Sequence, residues 1–128
     1  MINKRVIATE SAPKAIGPYS QAILIDKWLF VSGQIPINPR TNELIQGDIA
    51  KQTERVMENI KAVVENAGGT PANIVKTTVY LKDLKEFPIV NEIYARYFPN
   101  EPPARATVEV CRLPKDVGIE IDAIAKID

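Results

Sequence analysis

Histidine is missing from all 128 residues of the chain. That excludes Ser-His and Cys-His nucleophile systems, and every metal site that needs an imidazole. The single cysteine, Cys111, cannot form an internal disulfide, which suits a reducing compartment. Net charge is missing too, because 16 Lys and Arg balance 16 Asp and Glu. A nucleic-acid binder draws affinity from excess cations, so this balance argues against that partner. No apolar run is long enough to span a bilayer. The opening "MINKRVIATESAPK" has none of the apolar stretch of a secretory signal. The expectation is a cytoplasmic protein with no membrane partner. Walker loops, dinucleotide-type glycine patterns, CxxC pairs and zinc-protease motifs are also absent. Chemistry in this chain must therefore run on carboxylates, Arg, Lys, Tyr, hydroxyls, backbone groups and water.

The composition that remains is that of a globular chain, with 45% hydrophobic and 25% charged residues. No repeat, low-complexity tract or Gly/Ser linker divides it, so one domain over residues 1–128 is expected. "RVIAT" (5–9) reads as a short strand, and "APKAIGPYSQ" (12–21) as a Pro- and Gly-punctuated loop. "SQAILI" and "WLFVSGQI" flank Asp26-Lys27 and read as a hairpin. "PINPRTNE" (36–43) is a turn-rich connection. Residues 48–67 give the clearest helix, with Ile49, Val56, Ile60, Val63, Val64 and Ala67 in one apolar stripe. Asp48 is its expected N-cap, and Gly68-Gly69 its end. "IVKTTVYLK" (74–82) reads as a strand. A second helix tolerates Pro88 in its first turn, with a stripe of Ile89, Val90, Ile93, Tyr94, Tyr97 and Phe98. Two alternating strands, in "PPARATVEVCRLPKDVGIEI" (102–121) and its continuation, close the chain. The predicted fold is a two-layer α+β domain, a mostly antiparallel sheet covered on one face by two helices.

Parity assigns the faces of the closing strands. The apolar sets Ala106, Val108, Val110 and Ile119, Ile121, Ala123, Ala125 are expected under the helices. Arg105, Thr107, Glu109 and Cys111, with Glu120, Asp122 and Ile124, then fall on the other face. That face is mixed, which fits a partly polar subunit interface or a half-exposed antiparallel sheet.

Five collinear motifs carry a family resemblance across nearly the whole chain. They are "APKAIGPYSQA" (12–22), "VSGQIP" (31–36), "IVKTTVYLKDL" (74–84), "VNEIYARYF" (90–98) and "PARATVEVCRLPKDVGIEIDAIA" (103–125). With these motifs the chain closely resembles the RidA/YjgF family of reactive-intermediate imine deaminases. The resemblance implies a chorismate-mutase-like fold and a homotrimer, with sheets around a common axis and clefts at the subunit boundaries. It implies hydrolysis of 2-imino acids, products of pyridoxal-phosphate dehydratases, to 2-keto acids and ammonia, without a cofactor or metal in the deaminase.

The residue types suit that chemistry. Arg105 can grip the substrate carboxylate with its fork, although an exposed Arg is more commonly a surface ion pair. Glu120 can orient or deprotonate the attacking water, although a strand carboxylate is more commonly just solvated. Tyr19, presented by a loop after Gly17-Pro18, can bond the substrate or close the cleft; otherwise it is a packed loop tyrosine. The resemblance places Ser32, Gly33, Asn91 and Thr107 as substrate-binding residues. The ordinary role of Ser32-Gly33 would be a strand end, and that of Asn91 a helix-surface amide. Many deaminating relatives carry Cys where this chain has Thr107; the swap is harmless if backbone atoms make the contact, and it shifts substrate preference if side-chain size shapes the pocket. Cys111 lies elsewhere in the motif and reads as a small apolar-like side chain.

If 105–112 and 118–126 formed a simple hairpin, Arg105 and Glu120 would lie roughly 13 to 20 Å apart along the strands. Either the site combines them from different subunits, or the two strands do not pair in this way. Two rival functions stand beside the deaminase: a non-catalytic module that binds small carboxylates, and an RNA-cleaving activity attributed to some family members.

Overall fold

The computed structural model describes residues 2–128. In chain order the elements are β1 (Lys4–Ile7), β2 (Ala22–Ile25), β3 (Trp28–Gln34), β4 (Ile37–Asn38), β5 (Glu43–Leu44), α1 (Ile49–Asn66), β6 (Ile74–Leu81), α2 (Phe87–Ala95), β7 (Ala104–Glu109) and β8 (Ile119–Lys126). Six strands form one sheet in the order β1-β2-β3-β8-β6-β7, while β4 and β5 pair separately inside the turn-rich connection. Within the large sheet only β6 and β7 run parallel. Both helices lie on one face. α1 packs on β3, β8 and α2, and Tyr94 of α2 reaches down to Thr77 of β6.

The helices follow from their sequence signals. The Asp48 carboxylate accepts the Lys51 N–H at 2.9 Å, satisfying one orphan donor of the first turn of α1. Val56, Ile60, Val63 and Val64 are fully buried along the expected stripe. Beyond the last turn Gly68 takes φ +99°, a left-handed conformation that favours glycine. In α2, Val90, Ile93 and Tyr94 are buried, but Ile89 is 48% exposed. Ile89 stands a 100° step off the line through 90, 93 and 94, outside so narrow a stripe. Tyr97 and Phe98 follow the helix rather than belonging to it.

β8 organises the core. Ile119, Ile121, Ala123 and Ala125 are buried under the helices, as parity predicts. Glu120, Asp122 and Ile124 face the open side. There Val6, Ile23, Phe30 and Ile124 fall in register across four strands. Val6 and Phe30, at 58% and 45% exposed, leave an apolar strip uncovered by any element among the described residues.

Two expectations about the closing strands meet the structure differently. β7 and β8 do not form a hairpin, because β6 lies between them and pairs with both. For β7 the face assignment is reversed. Arg105 is in register with Thr77, which is fully buried beneath α2. Arg105, Thr107 and Glu109 therefore sit on the helix side, and Ala106 and Val108 on the open side. The cause is position: β7 is the edge strand, and every residue in it except Thr107 is exposed. Burial within one subunit never sorts an edge strand, so an apolar side chain there does not reveal the core.

Candidate active site

The expected site residues gather in two groups on opposite sides of the sheet. The first surrounds a cleft of about 410 Å³ where β3 ends and β8 begins, lined by Lys14, Tyr19, Gln21, Gly33, Lys115 and Glu120 among others. A register slip builds this corner. Between Val31 and Gln34, β3 takes three steps where β8 takes two, a bulge at Ser32-Gly33. The bulge lets the Glu120 carboxyl lie against the backbone of Gly33, where any Cβ would collide with it. Glu120 is half-buried there. Burial, and secondarily the charge of Asp122 on the same face, raise its pKa above the usual carboxylate range. A carboxyl so shifted is a stronger base near neutral pH and holds a proton more readily.

Tyr19 stands beside this cleft on the 12–21 loop and is 53% exposed. Its phenol oxygen accepts the Ile16 N–H at 3.3 Å. The phenol hydrogen is thus left to donate elsewhere. Ser32 has a different employment. Its hydroxyl donates to the Ser20 carbonyl at 2.5 Å, and its N–H to the Gln21 carbonyl at 2.9 Å. Its proton is committed to holding the base of the loop.

The second group lies under α2. The Arg105 guanidinium rests on two rings, 5.2 Å from the Phe87 centroid and 4.9 Å from that of Tyr94. One of its nitrogens donates to the Asn91 side-chain oxygen at 2.9 Å. The Tyr94 ring is itself fixed, because its hydroxyl shares a buried 2.7 Å hydrogen bond with that of Thr77. Burial raises the Tyr94 pKa, so the hydroxyl stays protonated. With one nitrogen bonded to Asn91, the fork keeps further N–H donors that can receive a carboxylate. Thr107, half-buried two residues along, shares the side of Arg105.

No local sequence signal marks Phe87, Tyr94, Gln21, Lys14 or Lys115 as neighbours of these two groups. Tyr94 belongs to the apolar stripe of its helix and does pack there, whereas Phe87 lies outside that stripe. Their contact with Arg105 depends on β7 lying against α2, which no local pattern states. Lys115 reaches the cleft from a turn in which both Lys115 and Asp116 have positive φ, 55° and 58°. The 2.7 Å ion pair between Lys82 and Asp116 holds that turn.

Within one chain the two groups cannot meet on a small molecule. Arg105 and Glu120 are on opposite faces. Their registers on β6, Thr77 and Tyr80, are three residues apart, roughly 10 Å along the strand, with two strand spacings between. Among the described residues, no group of three or more His, Cys, Asp or Glu is placed to hold a metal ion. No helix among them is long and apolar enough to cross a membrane.

Comparison with known proteins places this geometry. The family model described as Endoribonuclease L-PSP matches residues 9–127. A RutC family protein of Pyrococcus abyssi is 60% identical over 122 residues, covering 95% of this chain and 96% of that protein. The 2-iminobutanoate/2-iminopropanoate deaminase of Escherichia coli is 51% identical over 124 residues, covering 94% of this chain and 96% of that one. The crystal structure of E. coli TdcF with bound serine superposes with a TM-score of 0.93 at 42% identity, over 97% of this chain and 99% of that one. Bulge, cleft and ring-borne arginine thus sit in a chain that belongs to the endoribonuclease L-PSP family, the YjgF/RidA (Rid) proteins.

Proposed function

We propose that the protein is a 2-imino-acid deaminase acting as a homotrimer, with its sites at subunit boundaries. The observation that carries this reading is the Arg105 guanidinium, held on two rings with donors to spare, on the opposite face from the Glu120 cleft. Such a pair becomes one site when the β7 edge of one subunit meets the open sheet face of the next. The uncovered apolar strip on that face supports the same packing.

In this reading Arg105 of one subunit binds the substrate carboxylate, and Asn91 steers the guanidinium. Thr107 and the backbone near Gly33 border the substrate, and Ser32 shapes the pocket through the loop it holds. Glu120 of the neighbour orients a water toward the imine carbon and takes its proton as the C–O bond forms. It then delivers that proton to nitrogen. With the imine protonated at the start, the adduct then carries an ammonium nitrogen; as Glu120 takes the proton of the adduct's hydroxyl, C=O forms and the C–N bond breaks, releasing ammonia and the keto acid. Tyr19 donates its phenol hydrogen within the same cleft. Every step runs on protein groups and water. The name of the E. coli relative supports the reaction, and the serine bound to TdcF supports a small amino-acid-like ligand. The Endoribonuclease name of the family supports RNA as a second substrate class. The zero net charge counts against it, and a steep salt dependence of RNA cleavage would be its signature.

The test couples a threonine or serine dehydratase to the purified protein and follows keto-acid release against trapping of free imine by semicarbazide. Wild type should accelerate release, and Arg105→Ala and Glu120→Ala should not. A folded wild-type protein that gives no acceleration would leave carboxylate binding without catalysis as the function.

A further inference from the structure

Gln21 is a buried polar residue, 5% exposed, and its side chain serves a single loop. Its amide nitrogen shares its two hydrogens among the carbonyls of Thr9, Ala12 and Pro13 at 3.1, 3.2 and 2.7 Å, and its oxygen accepts the Thr9 N–H at 2.7 Å. This loop cannot build a full ladder of its own, since Pro13 and Pro18 lack an N–H. One side-chain amide therefore supplies bonds that a turn or strand would otherwise make. The pinned half, residues 9–13, is held from Gln21; the base is held again by Ser32 at Ser20. The tip beyond is held by two short-range bonds, Ile16 N–H to the Tyr19 hydroxyl and Tyr19 N–H to the Gly17 carbonyl, around Gly17 at φ +112°. That tip carries Tyr19 into the Glu120 cleft, which Gln21 also lines.

We propose that Gln21 is a positioning residue that fixes where Tyr19 stands over the Glu120 cleft. The proposal rests on the reading of that cleft as the reaction site. The loop has its own hinge at Gly17, so the direction of Tyr19 depends on where the preceding segment is anchored. Gln21 is that anchor, tied at once to Thr9, Ala12 and Pro13.

The test uses Gln21→Met, which keeps length and burial but cannot make these bonds. Hydrogen exchange across residues 8–16 should quicken by about tenfold or more, with the strands of the sheet unchanged. In imine hydrolysis kcat/KM should fall by about tenfold. In a Tyr19→Ala background the same change should cost less than about twofold, because the group it positions is gone. Equal losses in both backgrounds would mean a general structural role and overturn the proposal. Unchanged loop exchange would overturn it as well. If wild type hydrolyses no imine, the deaminase reading fails on that result alone. The same four-variant cycle is then read as affinity for L-serine by calorimetry, where additive effects of Gln21→Met and Tyr19→Ala again overturn the clamp.

Discussion

Burial and the charge of Asp122 raise the pKa of Glu120, so the folded chain keeps a proton that the unfolded chain has already released. That difference holds between the ordinary carboxylate pKa and the raised one. Stability from this group is full below the ordinary value and is lost as pH rises through the folded pKa. Glu120→Gln should therefore flatten the pH dependence of urea denaturation in that window. At neutral pH it should leave the protein more stable by about 1 kcal/mol or less, the carboxyl being half-exposed. The same variant should lose about a hundredfold or more of imine hydrolysis. Loss of activity with loss of stability would mean that Glu120 is structural. Arg105 separates in the other direction. Arg105→Lys keeps the charge but forfeits both the fork and the flat face that rests on Phe87 and Tyr94. Steady-state kinetics should show KM raised about tenfold or more, with kcat changed less. An unchanged KM would remove Arg105 as the carboxylate reader.

At the scale of elements, the legible parts were those whose signals are local. The stripe of α1, its Asp48 cap and its glycine end all sit within one stretch of chain. Asp48→Ala should cost about 1 kcal/mol in thermal or urea denaturation and leave KM unchanged. The alternation of β8 was equally legible, because it lies between two strands and packs under α1, which buries every second residue. β7 was not. Its alternation is as regular, yet Val108 is 41% exposed on the open side while Arg105 lies under α2. An edge strand has a neighbour on one side only, so hydrophobicity marks the surface a partner would cover rather than the core. The insertion of β6 between β7 and β8 was hidden for a related reason. Strand pairing is a long-range choice, and the 110–118 connection reads as a hairpin turn until its ends are seen bonded to β6. Motif resemblance proposed the candidate site residues as a set. Their division into two groups was not, since it follows from that pairing.

For the whole molecule, one architectural fact does the most: a single subunit carries Arg105 and Glu120 on opposite faces of the same sheet. A bimolecular site is therefore the central claim, and mixing inactive chains tests it directly. Arg105→Ala and Glu120→Ala are each expected to be inactive alone. If the chain assembles as the proposed homotrimer, the two variants denatured together in equal amounts and refolded should form mixed trimers in which some boundaries join an intact Arg105 to an intact Glu120. With random assembly about a quarter of all boundaries are of that kind, so about a quarter of wild-type imine hydrolysis should return. Activity that stays at the level of the separate variants, in trimers shown by mass spectrometry to be mixed, would contradict a site shared between subunits.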